Sequence, residues 1–155
     1  MNLKMNKHDV FVEVVCLILL MGVFVYLFIS WDNIPDKIPG HYNAMGQVDR
    51  IANKSELIVL PIIACLMYIG LTAIGRIPQI WNTGVTVTEE NKERVYRVLK
   101  NMLGTMKLIM VAVFVFLSIN STQATSLPVW FLPVFLTLTF GAIIFYGIKL
   151  VKVSK

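Results

Sequence analysis

The stretch IPDKIPGHYNAMGQVDRIANKSE, residues 34–56, is the only long polar segment in the first half of the chain. Long apolar runs stand on both sides of it, from Val10 to Trp31 and from Leu57 to Gly75. A bilayer core about 30 Å thick requires roughly 20 apolar residues per helix. The two runs therefore predict two membrane-spanning helices joined by this polar loop.

Two further apolar runs, Leu108–Leu127 and Pro128–Ile148, contain no charged residue. The whole chain of 155 residues is 57% hydrophobic and 15% charged, with a mean hydropathy of +0.72, whereas about a quarter of the residues of soluble proteins are charged. We therefore predict an all-α membrane protein with four transmembrane helices in a single domain, residues 1–155. The predicted segments are spans at about 10–31, 57–75, 105–120 and 127–149, an outer loop at 32–56 and a cytoplasmic connection at 76–104.

The first run is expected to be a retained helix, because it exceeds the roughly 7–15 apolar residues of a cleaved signal peptide. Orientation follows from the basic residues. Eleven lie on the side of the two termini and three on the side of the loop, and basic residues are enriched in cytoplasmic segments. Both termini are thus predicted to be cytoplasmic and the loop extracellular. The net charge of +5 is interpreted as this topology signal and not as direct nucleic-acid binding.

Charged residues near the spans are expected to lie at the membrane surface. Glu13, in the first turn of the first helix, is expected to be a solvated end charge. Residues 88–107 have helical spacing and predict one continuous helix that enters the bilayer near Lys107, whose amine is expected to reach back to the headgroups. The polar face of this helix is expected to contact anionic lipid, with an acidic partner as the alternative; it comprises Lys92, Arg94, Arg97, Lys100 and Asn101.

The outer loop is expected to be ordered. Each of its two Ile-Pro pairs favours extended backbone at the isoleucine, and Asn43–Gly46 has the composition of a turn. We therefore predict two short extended pieces folded over the outer ends of the helices, with the isoleucines and Tyr42 pointing into the membrane interface. The second helix is expected to begin at a cap formed by Asn53 and Glu56.

The loop also carries a recognisable pattern. The series Ile-Pro-x-x-Ile-Pro-x-His-Tyr-Asn-x-x-Gly-x-x-Asp, Ile34–Asp49, followed by Lys54 and a span, resembles the bacterial membrane domain of unknown function DUF1648. That domain forms the N-terminal half of SdpI-type toxin-immunity proteins, and the segment Glu93–Arg97 also resembles this family. Ile51 and Ala52 depart from the pattern, because family members often have an aromatic residue and a glycine there. Only two further spans follow, in place of the C-terminal half of the SdpI type.

The resemblance implies a multi-pass protein of the bacterial cytoplasmic membrane that neutralises an exported toxic peptide. It also implies that the peptide-loaded form recruits a cytoplasmic repressor. The partners would then be the lipid bilayer, an extracellular peptide toxin and a cytoplasmic repressor, the last contacting the basic face of residues 93–107. The expected ligand-binding residues of the outer loop are His41, Tyr42, Asn43, Gly46, Asp49 and Lys54.

Two other classes of function stay open. In a membrane-embedded enzyme, His41 would serve as base with Asp49 as its orienting acid, or His41, Asn43 and Asp49 would bind a metal. One histidine is few for zinc, whose sites take three or four protein ligands, and His41 and Asn43 could simply hydrogen-bond the backbone of the loop. In a small transporter, ionisable residues would line the pathway, whereas the spans contain almost none. We therefore expect a binding or immunity-type protein without catalytic residues, metal or cofactor, and leave its oligomeric state open.

Overall fold

The computed structural model describes residues 3–155, which are mostly helical. The helices are α1 (Lys7–Ser30), α2 (Val59–Ile74), α3 (Lys92–Thr122) and α4 (Phe131–Ser154), and the strands are β1 (Lys37–Tyr42) and β2 (Val48–Asn53). Short 3₁₀ turns follow α1 at Trp31–Asn33, precede α2 at Lys54–Ile58 and follow α2 at Pro78–Ile80. With these turns included, four helices are long and apolar enough to cross a membrane. The prediction of four helices is confirmed.

Helix α3 lies at the centre of the fold. It packs against α1, α2 and α4, whereas α1 and α2 have little contact with each other. The face that α1 turns to the core carries residues at spacings of three and four, which fall on one side of a helix. These core residues are Val12, Cys16, Leu20, Val23 and Leu27, and they share one cluster with Val111 and Val115 of α3.

The outward faces of the helices are apolar as well. On α1, the exposed large apolar side chains include Phe11, Val14, Ile18, Met21, Val25 and Phe28. Helix α4 exposes a similar set, which includes Val134, Leu138, Ile144 and Phe145. Contiguous exposed apolar surface of this extent is rare on soluble proteins. Lipid is the solvent that suits these faces, in agreement with four membrane-spanning helices.

The connection between α1 and α2 is a β-hairpin, so the expectation of an all-α protein is wrong at this point. Strands β1 and β2 pair antiparallel, with Lys37 opposite Asn53 and Ile38 opposite Ala52, and the register shifts around His41. The two predicted extended pieces are these strands. The two extended segments pair because each has backbone N–H and C=O groups that need hydrogen-bond partners. Both are long enough to align, so each supplies the partners of the other.

The hairpin covers the predicted outer ends of the helices with its apolar residues. Ile34, Ile38, Ala52 and Leu57 are buried in the same core cluster as the inner face of α1. Ile51, in contrast, is 60% exposed. Ile34 and Ile38 thus pack into the protein core and not into the membrane interface as predicted, whereas Ile51 lies on the opposite face of β2 from Ala52.

Two predicted helix starts can be compared with the structure. The backbone N–H of Asn53 donates to the Glu56 carboxylate over 3.3 Å, as the cap predicts, but one 3₁₀ turn separates this cap from α2. The predicted continuous third helix is confirmed as α3, with 31 residues. Its length of about 46 Å exceeds a bilayer core of about 30 Å, so its first turns extend beyond the apolar layer.

Candidate functional sites

The first candidate site is the exposed face of the hairpin. His41 on β1 and Asp49 on β2 meet there, with His41 Nδ1 2.7 Å from Asp49 Oδ1. Their side chains are 64% and 43% exposed, and exposed ion pairs contribute only about 0–1 kcal/mol to stability. Both polar groups are therefore accessible to a ligand. Within residues 3–155 no cluster of three or more His, Cys, Asp or Glu side chains is suited to hold a metal ion.

Asn43 and Gly46 form the turn of the hairpin. The side-chain oxygen of Asn43 accepts hydrogen bonds from the backbone N–H groups of Met45 (2.8 Å) and Gln47 (3.0 Å). Gly46 has a φ of +77°, which glycine adopts without the penalty of a Cβ atom. The Gly46 carbonyl accepts from the Leu127 N–H over 2.8 Å. These two residues thus fix the turn and join it to the segment before α4.

Tyr42 faces the helices. Asn120 Nδ2 donates to the Tyr42 hydroxyl over 3.0 Å, and Ser121 Oγ lies 3.2 Å from the same oxygen. Asn120 and Ser121 are buried at the outer end of α3, where polar atoms require hydrogen-bond partners. The expectation that Tyr42 would point into the membrane interface is therefore wrong, because its hydroxyl pairs with α3 instead.

The six predicted ligand-binding residues do not form one pocket. His41 and Asp49 face outward, Tyr42 and Gly46 contact the rest of the protein, and Asn43 holds the turn. Lys54 lies at the opposite end of the hairpin, with its Nζ 4.9 Å from the centre of the Trp31 ring.

The second candidate site lies at the predicted inner end of the helices, away from the hairpin, and was not expected from the sequence. The ammonium group of Lys107 on α3 donates to the Glu13 carboxylate on α1 and to Thr72 Oγ1 on α2, the latter over 3.0 Å. The hydroxyl of Tyr68, also on α2, donates to the same carboxylate over 2.7 Å. The side chains of Lys107 and Glu13 are 5% and 29% exposed. One ion pair therefore joins three helices.

Both earlier expectations for these charges are wrong. Lys107 does not reach toward headgroups, because it lies on the same face of α3 as the buried Val111 and Val115, four and eight residues further along. Glu13 is not a solvated end charge, since Tyr68 and Lys107 enclose it. The helices thus bury more ionisable residues than the sequence predicted. The argument against a transporter, which rested on their scarcity, is weaker as a result.

The basic face of α3 is turned in part toward the protein's own N-terminal segment. Asp9 Oδ2 lies 3.2 Å from Arg97 and 3.4 Å from Lys100. Arg97 and Lys100 also donate to the backbone carbonyls of Lys4 and Leu3, over 2.7 and 3.2 Å. These two side chains thus contact the acidic first turn of α1, which lies directly beside them, and the expectation that the basic face contacts lipid stays a prediction.

A cavity of about 640 Å³ opens between these charged groups. Its polar lining comprises Asp9, Glu13, Thr72, Arg76, Lys100 and Lys107. Its apolar lining includes Val12, Leu17, Leu71 and Leu103. The sequence did carry a signal for this cavity. Asp9 and Glu13 are four residues apart and so share one face of α1, and Lys107 shares one face of α3 with the buried Val111 and Val115. Opposite charges therefore stand on two helix faces that carry core residues.

Four apolar helices under a docked hairpin are typical of a small multipass membrane protein. Residues 17–65, which run from α1 through the hairpin into α2, match the domain of unknown function DUF1648, so the resemblance to that family is confirmed over this segment. An uncharacterized protein of Archaeoglobus fulgidus is 30% identical over 74 residues, which cover 43% of this chain and 40% of that protein. The match thus spans less than half of this relative. No solved structure is significantly similar to the chain.

Proposed function

We propose that this chain is a non-enzymatic membrane protein that binds a peptide or another ligand on its hairpin, at the outer face of the cytoplasmic membrane. Both termini lie in the cytoplasm in this proposal, and the bound state is signalled to a cytoplasmic regulator. The distribution of basic residues supports this orientation. With Lys107 assigned to the interior, ten of the remaining thirteen Lys and Arg residues lie on the side of the termini, as the positive-inside rule requires.

The observation that carries the proposal is a hairpin that is fixed on one face and free on the other. Tyr42, Gly46 and Ile38 attach it to the helices. The opposite face exposes a charged pair, His41 and Asp49, beside the apolar Met45 and Ile51, which are 82% and 60% exposed. A fixed surface loses little conformational entropy on binding, and this mixture of charged and apolar groups suits an amphipathic peptide.

Helix α3 supplies a route from this face to the cytoplasm. Its outer end holds Tyr42 through Asn120, and its inner end holds the N-terminal segment through Arg97. Because α3 is one uninterrupted helix of 31 residues, a shift of its outer end is also felt at its inner end. Exposed Glu93 and Arg94 on its first turns are the surface that we assign to the cytoplasmic regulator.

The orientation can be tested with single cysteines in a Cys16→Ala/Cys65→Ser background. In intact cells, a membrane-impermeant maleimide is expected to label Met45→Cys, because this side chain is exposed at the tip of the hairpin. Glu90→Cys, exposed before α3, should be labelled only after the cells are permeabilised. The reverse pattern would contradict the proposed topology.

The binding function can be tested by expressing the chain in a bacterium that an exported peptide toxin kills. Survival is expected to rise about tenfold or more, because toxin bound to the hairpin no longer reaches its target. The His41→Ala/Asp49→Ala variant should lose most of this protection, because it removes both exposed polar groups. Ser55→Ala, an exposed position outside this pair, is the matched control, and membrane levels of all variants are compared by immunoblot. Unchanged killing curves on expression of the native chain would refute the immunity function.

A further inference from the structure

The inner cavity has a balance of charge that favours an anion. Each of its carboxylates is already compensated, since Asp9 lies beside Arg97 and Lys100 and Glu13 binds Lys107. Arg76 is exposed at the end of α2 and lines the same cavity. Among residues 3–155, its guanidinium group has no hydrogen-bond partner or ion-pair partner. One full positive charge is thus left facing the cavity.

The shape and position of the cavity favour an amphiphile. The cationic groups of Arg76 and Lys100 share it with an apolar wall that includes Val12, Leu17 and Leu71. Leu17 is itself 44% exposed on the outward surface of α1, so the apolar wall continues onto the face that lipid would cover. A molecule with an anionic head and an acyl chain would place each part against a matching surface.

We infer that this cavity binds the phosphate group of an anionic phospholipid, with the guanidinium of Arg76 as the principal ligand and Lys100 as a second cation. A guanidinium forms two parallel hydrogen bonds to a phosphate. Basic pockets between membrane helices commonly receive lipid headgroups in this way. The acyl chain then lies along Leu17 and Leu71, and the bound lipid contacts both α1 and α2, which otherwise have little contact with each other.

The test is native mass spectrometry of the full chain in detergent, with phosphatidylglycerol or phosphatidylcholine added. Phosphatidylglycerol adducts are expected to be about tenfold more abundant, because both lipids carry a phosphate but the choline cation of phosphatidylcholine is repelled by Arg76 and Lys100. Arg76→Gln should reduce them to the level of phosphatidylcholine, and Arg76→Lys should retain part of the preference. Lys152→Gln is the matched control, because Lys152 is an exposed cation outside the cavity, and it should bind like the native chain.

Three results would overturn the inference. The first is equal binding of the two lipids to the native chain. The second is an unchanged preference in Arg76→Gln, provided that its melting temperature matches that of the native chain. The third is displacement of phosphatidylglycerol by an equal concentration of glycerol phosphate, because this soluble probe carries the phosphate without the acyl chain and would show that the apolar wall adds nothing to binding.

Discussion

Lys107→Met is expected to destabilise the protein by about 3 kcal/mol, because it leaves the Glu13 carboxylate in the bundle without its counter-ion. Breaking a buried ion pair costs about 3–5 kcal/mol, and the lower end applies since the Glu13 side chain is 29% exposed. Methionine preserves most of the volume of lysine, so lost packing contributes little. The measurement is the free energy of unfolding in detergent, with Lys152→Met, at an exposed position of α4, as the control.

A double variant separates charge from packing. Glu13→Gln/Lys107→Met removes both charges and is expected to recover at least half of the lost stability, because neither member of the pair is then left uncompensated. Ordinary surface substitutions change the free energy of unfolding by up to about 0.5 kcal/mol. If Lys107→Met changed it by no more than this, the ion pair between α1 and α3 would be refuted.

Gly40→Ala is expected to disrupt the hairpin and with it the ligand binding that we propose for its exposed face. A Cβ atom at this position would lie 2.6 Å from the Cβ of Ala52 and 2.8 Å from Cζ of Arg50. The Cβ of Ala52 is buried and fixed to the backbone, so it cannot move without separating β1 from β2. The exposed Arg50 side chain can move away, but it then loses its hydrogen bond of 2.7 Å to the Gly40 carbonyl. Overpacking of this kind costs about 1–3 kcal/mol.

The effect of Gly40→Ala should be local and measurable. Amide hydrogen exchange is expected to accelerate over residues 37–53 and to stay unchanged in α3, and protection from a peptide toxin should be lost. Gly141→Ala is the matched control, because no heavy atom lies within 4 Å of a Cβ built there. Unchanged exchange in the hairpin of Gly40→Ala would contradict the close approach of the two strands.

The sequence predicted the features that depend on local composition. Apolar runs identify the helices because a bilayer demands continuous apolar length. The Ile-Pro pairs and the Asn43–Gly46 turn identify the two arms of the hairpin, since proline restricts the preceding residue and glycine permits a positive φ. Each of these signals lies within a few residues of the structure that it specifies.

The sequence did not predict the features that depend on which helices meet. Lys107 stands at the start of an apolar run, where a lysine usually lies at the membrane interface. Only the approach of Glu13 on α1 makes an interior position favourable. Tyr42 likewise points to α3 because buried Asn120 lies there, 78 residues away in the chain. Arg97 and Lys100 contact Asp9 of α1 for the same reason. Side-chain pairs between distant segments are invisible to composition and spacing within one segment.

The central position of α3 has a consequence for synthesis at the ribosome. Helices α1 and α2 emerge first, yet each finds its main packing surface on α3, and the hairpin needs Asn120 and Leu127 for its docking. The segment 17–65, which carries the family match, therefore cannot reach its final arrangement alone. Helices α1 and α2 are expected to stay without their final packing until residues beyond 120 have been translated and inserted. In a nascent chain halted near residue 90, the hairpin should therefore still be cleaved by protease.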